Sequence, residues 1–262
     1  MSVLLVGAGR MGSALLKGWI ARGIGPITVV EPKPSAEIKS LAKKKKIALL
    51  PAPPAKKFSA CVVAIKPQVL KEGAATLADI AKSALMISIA AGTDTKRLSA
   101  AWGSKARIIR AMPNTPGAIG QGITGLYAAK AATPADRKRA TSLLAALGET
   151  LWVKSESLID SVTAVSGSGP AYLFLMAEAL TEAGLAEGLS KPEAEKLARA
   201  TVSGAGALLA ADTSSASALR QAVTSPGGTT EAALKVLMAE DGLVLLMKRA
   251  VSAARKRAEE LR

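Results

Sequence analysis

The sequence predicts an α/β domain, built on a doubly wound and mostly parallel sheet, followed by an all-helical domain, with the boundary between residues 155 and 156. Three observations carry this reading. Short apolar runs bounded by turn residues recur through the first part and alternate with helical patterns, as strands buried on both faces do. The first run is followed by Gly7-Ala8-Gly9-Arg10-Met11-Gly12 and then by an apolar helix through Leu15, Leu16 and Trp19. From about Glu156 the strand patterns stop, and alanine-rich helical patterns take over.

In chain order, Val3-Leu-Leu-Val6 reads as a buried strand. The glycine pattern after it is G-x-G-x-x-G in its required context of strand, loop and helix. Gly7 allows the turn, Gly9 lets a pyrophosphate approach the backbone, and Gly12 lets helix pack on strand; Arg10 and Met11 share the loop. The domain is therefore read as Rossmann-type. Ile27-Thr-Val-Val30 is the second strand and ends at Glu31. An acid there binds a ribose 2′-OH and favours NAD, whereas basic or hydroxyl groups such as Lys33 and Ser35 accept a 2′-phosphate and favour NADP. Both signals are present, so the cofactor is read as NADPH or NADH.

Residues 35–45 read as helix, and Pro51, Pro53 and Pro54 mark a loop. Cys61-Val-Val-Ala-Ile65, residues 85–89, Arg107-Ile-Ile-Arg-Ala-Met112, residues 123–127 and Thr150-Leu-Trp-Val153 are further strands, and residues 134–147 a helix. An antiparallel edge is allowed for. Ligands of such sheets gather at the carboxyl ends of the strands. Lys66, Ala90 with Ala91, and Asn114 all follow strands and are assigned to that rim. In the second part, Ser168-Gly169-Pro170 opens a helix over 171–187, with proline in its first turn. Ser190-Lys-Pro-Glu193 is a capping box opening a helix to about residue 209. A basic helix from about 243 to 261 ends the chain.

Between them lies Ser225-Pro226-Gly227-Gly228-Thr229-Thr230, a tight loop opening onto a helix over 231–237. Pro226 fixes one φ, and the glycines allow φ > 0. A helix N-terminus behind a glycine-rich loop offers free N–H groups and the positive end of a dipole. With two threonine hydroxyls at its mouth, it suits a small carboxylate.

Composition narrows the chemistry. The 262 residues include one cysteine, Cys61, and no histidine, which excludes a disulfide framework, a cysteine-rich zinc site and any histidine base; no metal-ligand set is predicted. No apolar run reaches the ~20 residues of a transmembrane helix. The N-terminus enters a strand directly, so no signal peptide and a cytoplasmic location are expected. The net charge is +15, but aromatics are only 3%, so stacking platforms for nucleic acid are scarce and a solvated basic surface is expected. β-Hydroxy-acid dehydrogenases share this layout and are the alternative class, together with other imine reducers. They carry a lysine with an asparagine four residues on in the first helix of the second domain; Ala171-Tyr-Leu-Phe-Leu-Met-Ala-Glu-Ala-Leu has neither. Alcohol oxidation needs a base, whereas hydride transfer to an iminium carbon needs mainly positioning.

Five motifs then occur in order: Gly7-Ala-Gly-Arg-Met-Gly12, Ala64-Ile-Lys-Pro67, Met112-Pro-Asn-Thr-Pro116, Ser166-Gly-Ser-Gly-Pro-Ala-Tyr172 and Val223-Thr-Ser-Pro-Gly-Gly-Thr-Thr230. Together they resemble pyrroline-5-carboxylate reductase over essentially the whole chain. The resemblance implies reduction of 1-pyrroline-5-carboxylate to L-proline, the last step of proline synthesis. It implies a homodimer with interlocked helical domains, often assembled further into a decamer. It adds Ala64, Ile65, Lys66 and Pro67 to the cofactor site. It assigns Ser225, Gly227, Gly228, Thr229 and Thr230 to the substrate, with N–H groups near Gly228 and Thr229 and the Thr230 hydroxyl holding the carboxylate. It brings Glu156 close to substrate and cofactor. Pro51 and Ala222 depart from the pattern, standing where some members have an asparagine near the cofactor and the site.

Overall fold

In the computed structural model, which describes residues 1–261, eight strands form one sheet in the order β3-β2-β1-β4-β5-β6-β7-β8. They are β1 (Val3–Val6), β2 (Ile27–Val30), β3 (Ala48–Leu50), β4 (Ala60–Val63), β5 (Leu85–Ser88), β6 (Arg107–Met112), β7 (Gly122–Ala128) and β8 (Gly148–Trp152). Every neighbouring pair is parallel except β6 and β7. The antiparallel step lies inside the sheet rather than at its edge, because β8 returns parallel to β7. The chain crosses from β3 back past β1 to β4. That places the switch point, where such sheets bind ligands, between β1 and β4.

The connecting helices are α1 (Arg10–Ala21), α2 (Ala36–Lys43), α3 (Pro67–Gly73), α4 (Ala78–Ala81), α5 (Thr95–Trp102), α6 (Pro134–Leu144) and α7 (Leu158–Val162). Leu15, Leu16 and Trp19 of α1, Ile38 of α2 and Leu143 and Leu144 of α6 bury one face of the sheet with Val3, Leu5 and Val62. Leu70, Ile80, Leu98 and Trp102 of α3, α4 and α5 bury the other with Leu4, Val63 and Ile108. The alternation within Val3–Val6 explains why every residue of that strand is apolar: both faces are covered. Strand β3 was not expected from the sequence, since it is three residues long at an edge, directly after a lysine run.

One buried acid holds this layer together. Asp136 is fully buried, and its carboxylate takes Arg107 Nη1 at 2.8 Å and the Thr133 N–H at 3.0 Å, closing the capping box of α6. Asp136→Ala leaves the guanidinium and the cap without their acceptor. The expected loss is about 3 kcal/mol, read as a lower urea midpoint at unchanged m-value.

The chain forms two compact units, Met1–Gly167 together with residues 255–261, and Ser168–Ala254. The boundary expected at 155/156 thus falls inside the first unit. Its physical cause is α7, which packs on the sheet: a Cβ on Gly125 of β7 would sit 2.6 Å from Val162. Taken by itself, the second unit is all helix, with α8 (Gly169–Ala186), α9 (Lys191–Ala211), α10 (Ala216–Ala222), α11 (Thr229–Leu237) and most of α12 (Leu243–Glu260). Helices α8 and α9 form an antiparallel pair brought close by Gly184 against Ala194. Ala194 and Ala198 are buried there, but no residue of α8 is, and Phe174 is 64% exposed beside Leu173 and Leu175. An apolar face of that size on a folded chain marks an association surface.

Candidate active site

The first unit carries an open anion cradle at the carboxyl ends of β1, β2, β4 and β5. Helix α1 starts at Arg10 behind Gly9, with no acid in its first turn. Its first intrahelical bond is Ser13 N–H to Gly9 O, 2.8 Å. Among the described residues, the N–H groups of Arg10, Met11 and Gly12 have no acceptor, so they and the dipole point out of the loop.

The three glycines of this loop are demanded by different things. Gly7 has φ +93°, and a Cβ there would lie 2.6 Å from Ala64 O. On Gly12 a Cβ would collide with the Gly7 carbonyl oxygen. Both are therefore fixed by the fold, and Ala64 and Ile65 line the loop at these contacts. Gly9 is different. It has φ −68° and ψ −167°, ordinary extended backbone, and nothing lies within 4 Å of a Cβ built on it. The folded chain does not need a glycine there; a ligand that lies on the backbone does.

Glu31 reaches into this loop. Its carboxylate accepts the Ala8 N–H at 2.9 Å and the Lys33 N–H at 3.0 Å, tying the turn after β2 to the glycine loop. Ser35 caps α2 through Ile38 N–H, and the Lys33 side chain is in an exposed turn. Lys66 is exposed at the start of α3, with Pro67 in the first turn, and makes no ion pair among the described residues. Asn114 faces the same rim, but both of its amide atoms are engaged: Oδ1 accepts Ile123 N–H at 3.0 Å and Nδ2 donates to Ser166 Oγ at 3.2 Å. It shapes the turn between β6 and β7 and holds the Ser166 motif. Cys61 is buried in β4, and burial pushes its thiol pKa up, so it supplies no nucleophile.

Next along the rim, Ala90, Ala91 and Gly92 lead from β5 into α5, a helix not foreseen from sequence and capped by Asp94. Glu156 comes to its first residue, accepting Thr95 N–H at 2.7 Å and Thr95 Oγ1 at 2.6 Å. Arg110 of β6 pairs with Glu156 at 3.2 Å and lies 3.7 Å from Asp160. Arg110, Thr95 and Asp160 were missed by the sequence reading. The signal was there: an arginine in the middle of a strand otherwise buried on both faces must meet an acid.

The second unit carries the other cradle. Gly227 takes φ +69°, and a Cβ on Gly228 would collide with Ser225 Oγ, so the turn before α11 needs both glycines. Of the N–H groups expected near Gly228 and Thr229, that of Gly228 donates to Ser225 O at 3.0 Å, and the Gly227 N–H donates to Glu231 Oε2 at 2.6 Å. Those two bonds close the turn and leave the opening one residue later. The first intrahelical bond is Ala232 N–H to Gly228 O, 3.2 Å. Among the described residues, the N–H groups of Thr229, Thr230 and Glu231 and the Thr230 hydroxyl are without partners.

A dinucleotide cradle at the switch point of a doubly wound sheet, joined to a helical unit with an anion-binding helix entry, defines a nicotinamide-dependent oxidoreductase of the two-domain kind. A family model described as "Pyrroline-5-carboxylate reductase dimerisation" matches residues 156–261, and one described as "NADP oxidoreductase coenzyme F420-dependent" matches residues 2–92. The pyrroline-5-carboxylate reductase of Pseudomonas aeruginosa is 38% identical over 99% of this chain and 96% of its own length. The solved structure of the Coxiella burnetii enzyme superposes with a TM-score of 0.91 at 38% identity, over 99% of this chain and 98% of that one. That of the Plasmodium falciparum enzyme, solved with NADP bound, gives 0.81 at 26% identity, over 100% and 98%. The chain belongs to the pyrroline-5-carboxylate reductase family. The dimerisation model covers the helical unit, which supports a homo-oligomer. No helix among the described residues is long and apolar enough to cross a membrane.

Proposed function

We propose that this chain reduces 1-pyrroline-5-carboxylate to L-proline with NADPH or NADH. The observation that carries the reading is the α11 entry: three open N–H groups and an unpartnered Thr230 hydroxyl share one helix N-terminus, which suits a small carboxylate, in a chain with no histidine base. Thr230 donates to the substrate carboxylate, as do the Thr229 and Thr230 N–H groups. Ser225 offers its hydroxyl to the same carboxylate, and Gly227 and Gly228 shape the loop. Glu156 lies beside the reacting ring.

The cofactor site is supported by the Gly9 cradle, where the space beside the backbone is open and the N–H groups of α1 face it. Gly7, Gly9, Arg10, Met11 and Gly12 would hold the pyrophosphate; Ala64, Ile65, Lys66, Pro67, Ala90, Ala91 and Asn114 would form the rim under the rest. Bound there, the cofactor would supply a hydride for the C=N carbon, and the π pair of the protonated imine would pass to nitrogen. The chain's own part is positioning: N–H groups fix both anions, and no side chain has to move a proton. In the assembly, loop 225–230 of one protomer faces the dinucleotide cradle of its partner, in a homodimer that assembles further into a decamer of five dimers. A cytoplasmic location completes the proposal.

Reduced-cofactor consumption tests it, with pyrroline-5-carboxylate, with the keto form of a hydroxy acid, and with neither. Turnover is expected with the first alone; turnover with the keto acid would favour the dehydrogenase alternative.

Glu31 sets cofactor choice in this reading. Its carboxylate would face a 2′-phosphate, and two like charges ~4 Å apart in water cost about 1 kcal/mol, or about fivefold in binding. Glu31→Ala is expected to lower the NADH to NADPH ratio of kcat/KM by about that factor. Because the mutation also frees the Ala8 and Lys33 N–H groups, both absolute values fall. An unchanged ratio would leave Glu31 as a loop tie only.

A further inference from the structure

We infer that Arg110 is a positioning residue for the dinucleotide site, acting through Glu156 on the segment of residues 90–95. The inference rests on the cofactor reading above, though not on the identity of the substrate. Arg110 is 3% exposed, on the same face of β6 as Ile108. A buried arginine flanked by two acids is a costly way to fill that volume, since apolar residues of equal size would stabilise the sheet as well or better. What the arginine does there is fix a carboxylate. Glu156 receives Arg110 Nη1 at 3.2 Å on Oε1, and its two oxygens also take both donors of Thr95, at 2.7 and 2.6 Å. Thr95 is the first residue of α5, and Asp94 caps that helix on Arg97 N–H. The clamp therefore sets where the residues between β5 and α5 run, and these are Ala90, Ala91 and Gly92 of the cofactor rim.

The other flank of the segment is held independently. Gly92 has φ +67°, and a Cβ on it would sit 2.7 Å from Leu261 O, so the segment has little freedom to relocate. Asp160 pairs with the other terminal nitrogen of the guanidinium, 3.7 Å from Arg110 Nη2. The order of action is thus Asp160 and Arg110 on Glu156, Glu156 on Thr95, and Thr95 on the rim.

Two measurements test this, one of them without cofactor. Hydrogen exchange at the Thr95 amide of the unliganded protein reads the clamp directly. NADPH fluorescence titration reads its consequence. Arg110→Lys keeps the charge but loses the fork, Glu156→Gln keeps the shape, and Thr95→Val removes only the hydroxyl. Each is expected to speed exchange at residue 95 and to weaken NADPH binding by about tenfold, the size of one hydrogen bond to a charged group. The Arg110→Lys, Glu156→Gln double variant should be no weaker than the worse single, because the residues act in series. If Arg110→Lys does not fold, the other two single variants and their pair carry the same test. NADPH affinity within twofold of wild type in folded Glu156→Gln and Thr95→Val would overturn the inference, and so would effects that multiply. Failure of the underlying reading looks different: wild-type protein would then bind no NADPH.

Discussion

Gly9→Val is expected to fold and melt like the wild type and to lose NADPH binding by at least about 100-fold. The two halves of this expectation come from the same geometry. A valine at φ −68° and ψ −167° is in its preferred extended region, and no atom of the chain lies within 4 Å of its Cβ. The side chain would enter the open space beside the loop that leads into α1, where a pyrophosphate would lie. Losing two or three charge-assisted hydrogen bonds costs several kcal/mol, hence the hundredfold estimate. Gly7→Ala is the control with the opposite outcome. There φ is +93° and Ala64 O stands 2.6 Å from the new Cβ, so the fold itself should suffer. Fluorescence titration with melting curves separates the two. Unchanged affinity in folded Gly9→Val would reject the cradle.

Thr230→Val should lower kcat/KM for pyrroline-5-carboxylate by about 10- to 150-fold, the equivalent of roughly 1.5–3 kcal/mol for a hydrogen bond to a charged group. Valine keeps the β-branched shape and removes only the donor. The Thr230 hydroxyl makes no hydrogen bond among the described residues, so its removal has little to destabilise. NADPH affinity should stay within about twofold, because Thr230 is assigned to the substrate carboxylate and not to the pyrophosphate. Thr229→Val should cost less, its contribution being the backbone N–H. Wild-type kcat/KM in a folded Thr230→Val would reduce Thr230 to an ordinary first-turn residue.

Both loops were legible in the sequence as glycine-rich helix entries, and for the same reason. Gly9 and Thr230 sit in loops whose local pattern dictates local backbone, and a helix entry exposes its N–H groups wherever the rest of the chain goes. What sequence could not place was set by contacts between distant segments. Arg110 was visible as a misplaced charge in an apolar strand, but its partners Glu156 and Asp160 lie 46 and more residues away. The internal use of the Gly227 and Gly228 N–H groups depends on the reach of the Glu231 side chain and on the turn back to Ser225 O, which residue type alone does not fix. Helix α7 finds its packing partner on β7, and no pattern inside Leu158–Val162 announces that. Asn114 was placed at the rim from its position after a strand; its hydrogen bonds to Ile123 N–H and Ser166 Oγ reach 9 and 52 residues along the chain, which residue type alone does not fix.

The central claim is hydride delivery to an imine carbon by a site that only positions. Its most direct test is isotopic. The protein is given pyrroline-5-carboxylate and NADPH carrying deuterium at nicotinamide C4, on each face in turn, and the product is analysed by mass spectrometry and NMR. The expected result is L-proline with one deuterium, at C5, from one labelled face only. Proline without deuterium, deuterium at another carbon, or no proline at all would contradict it.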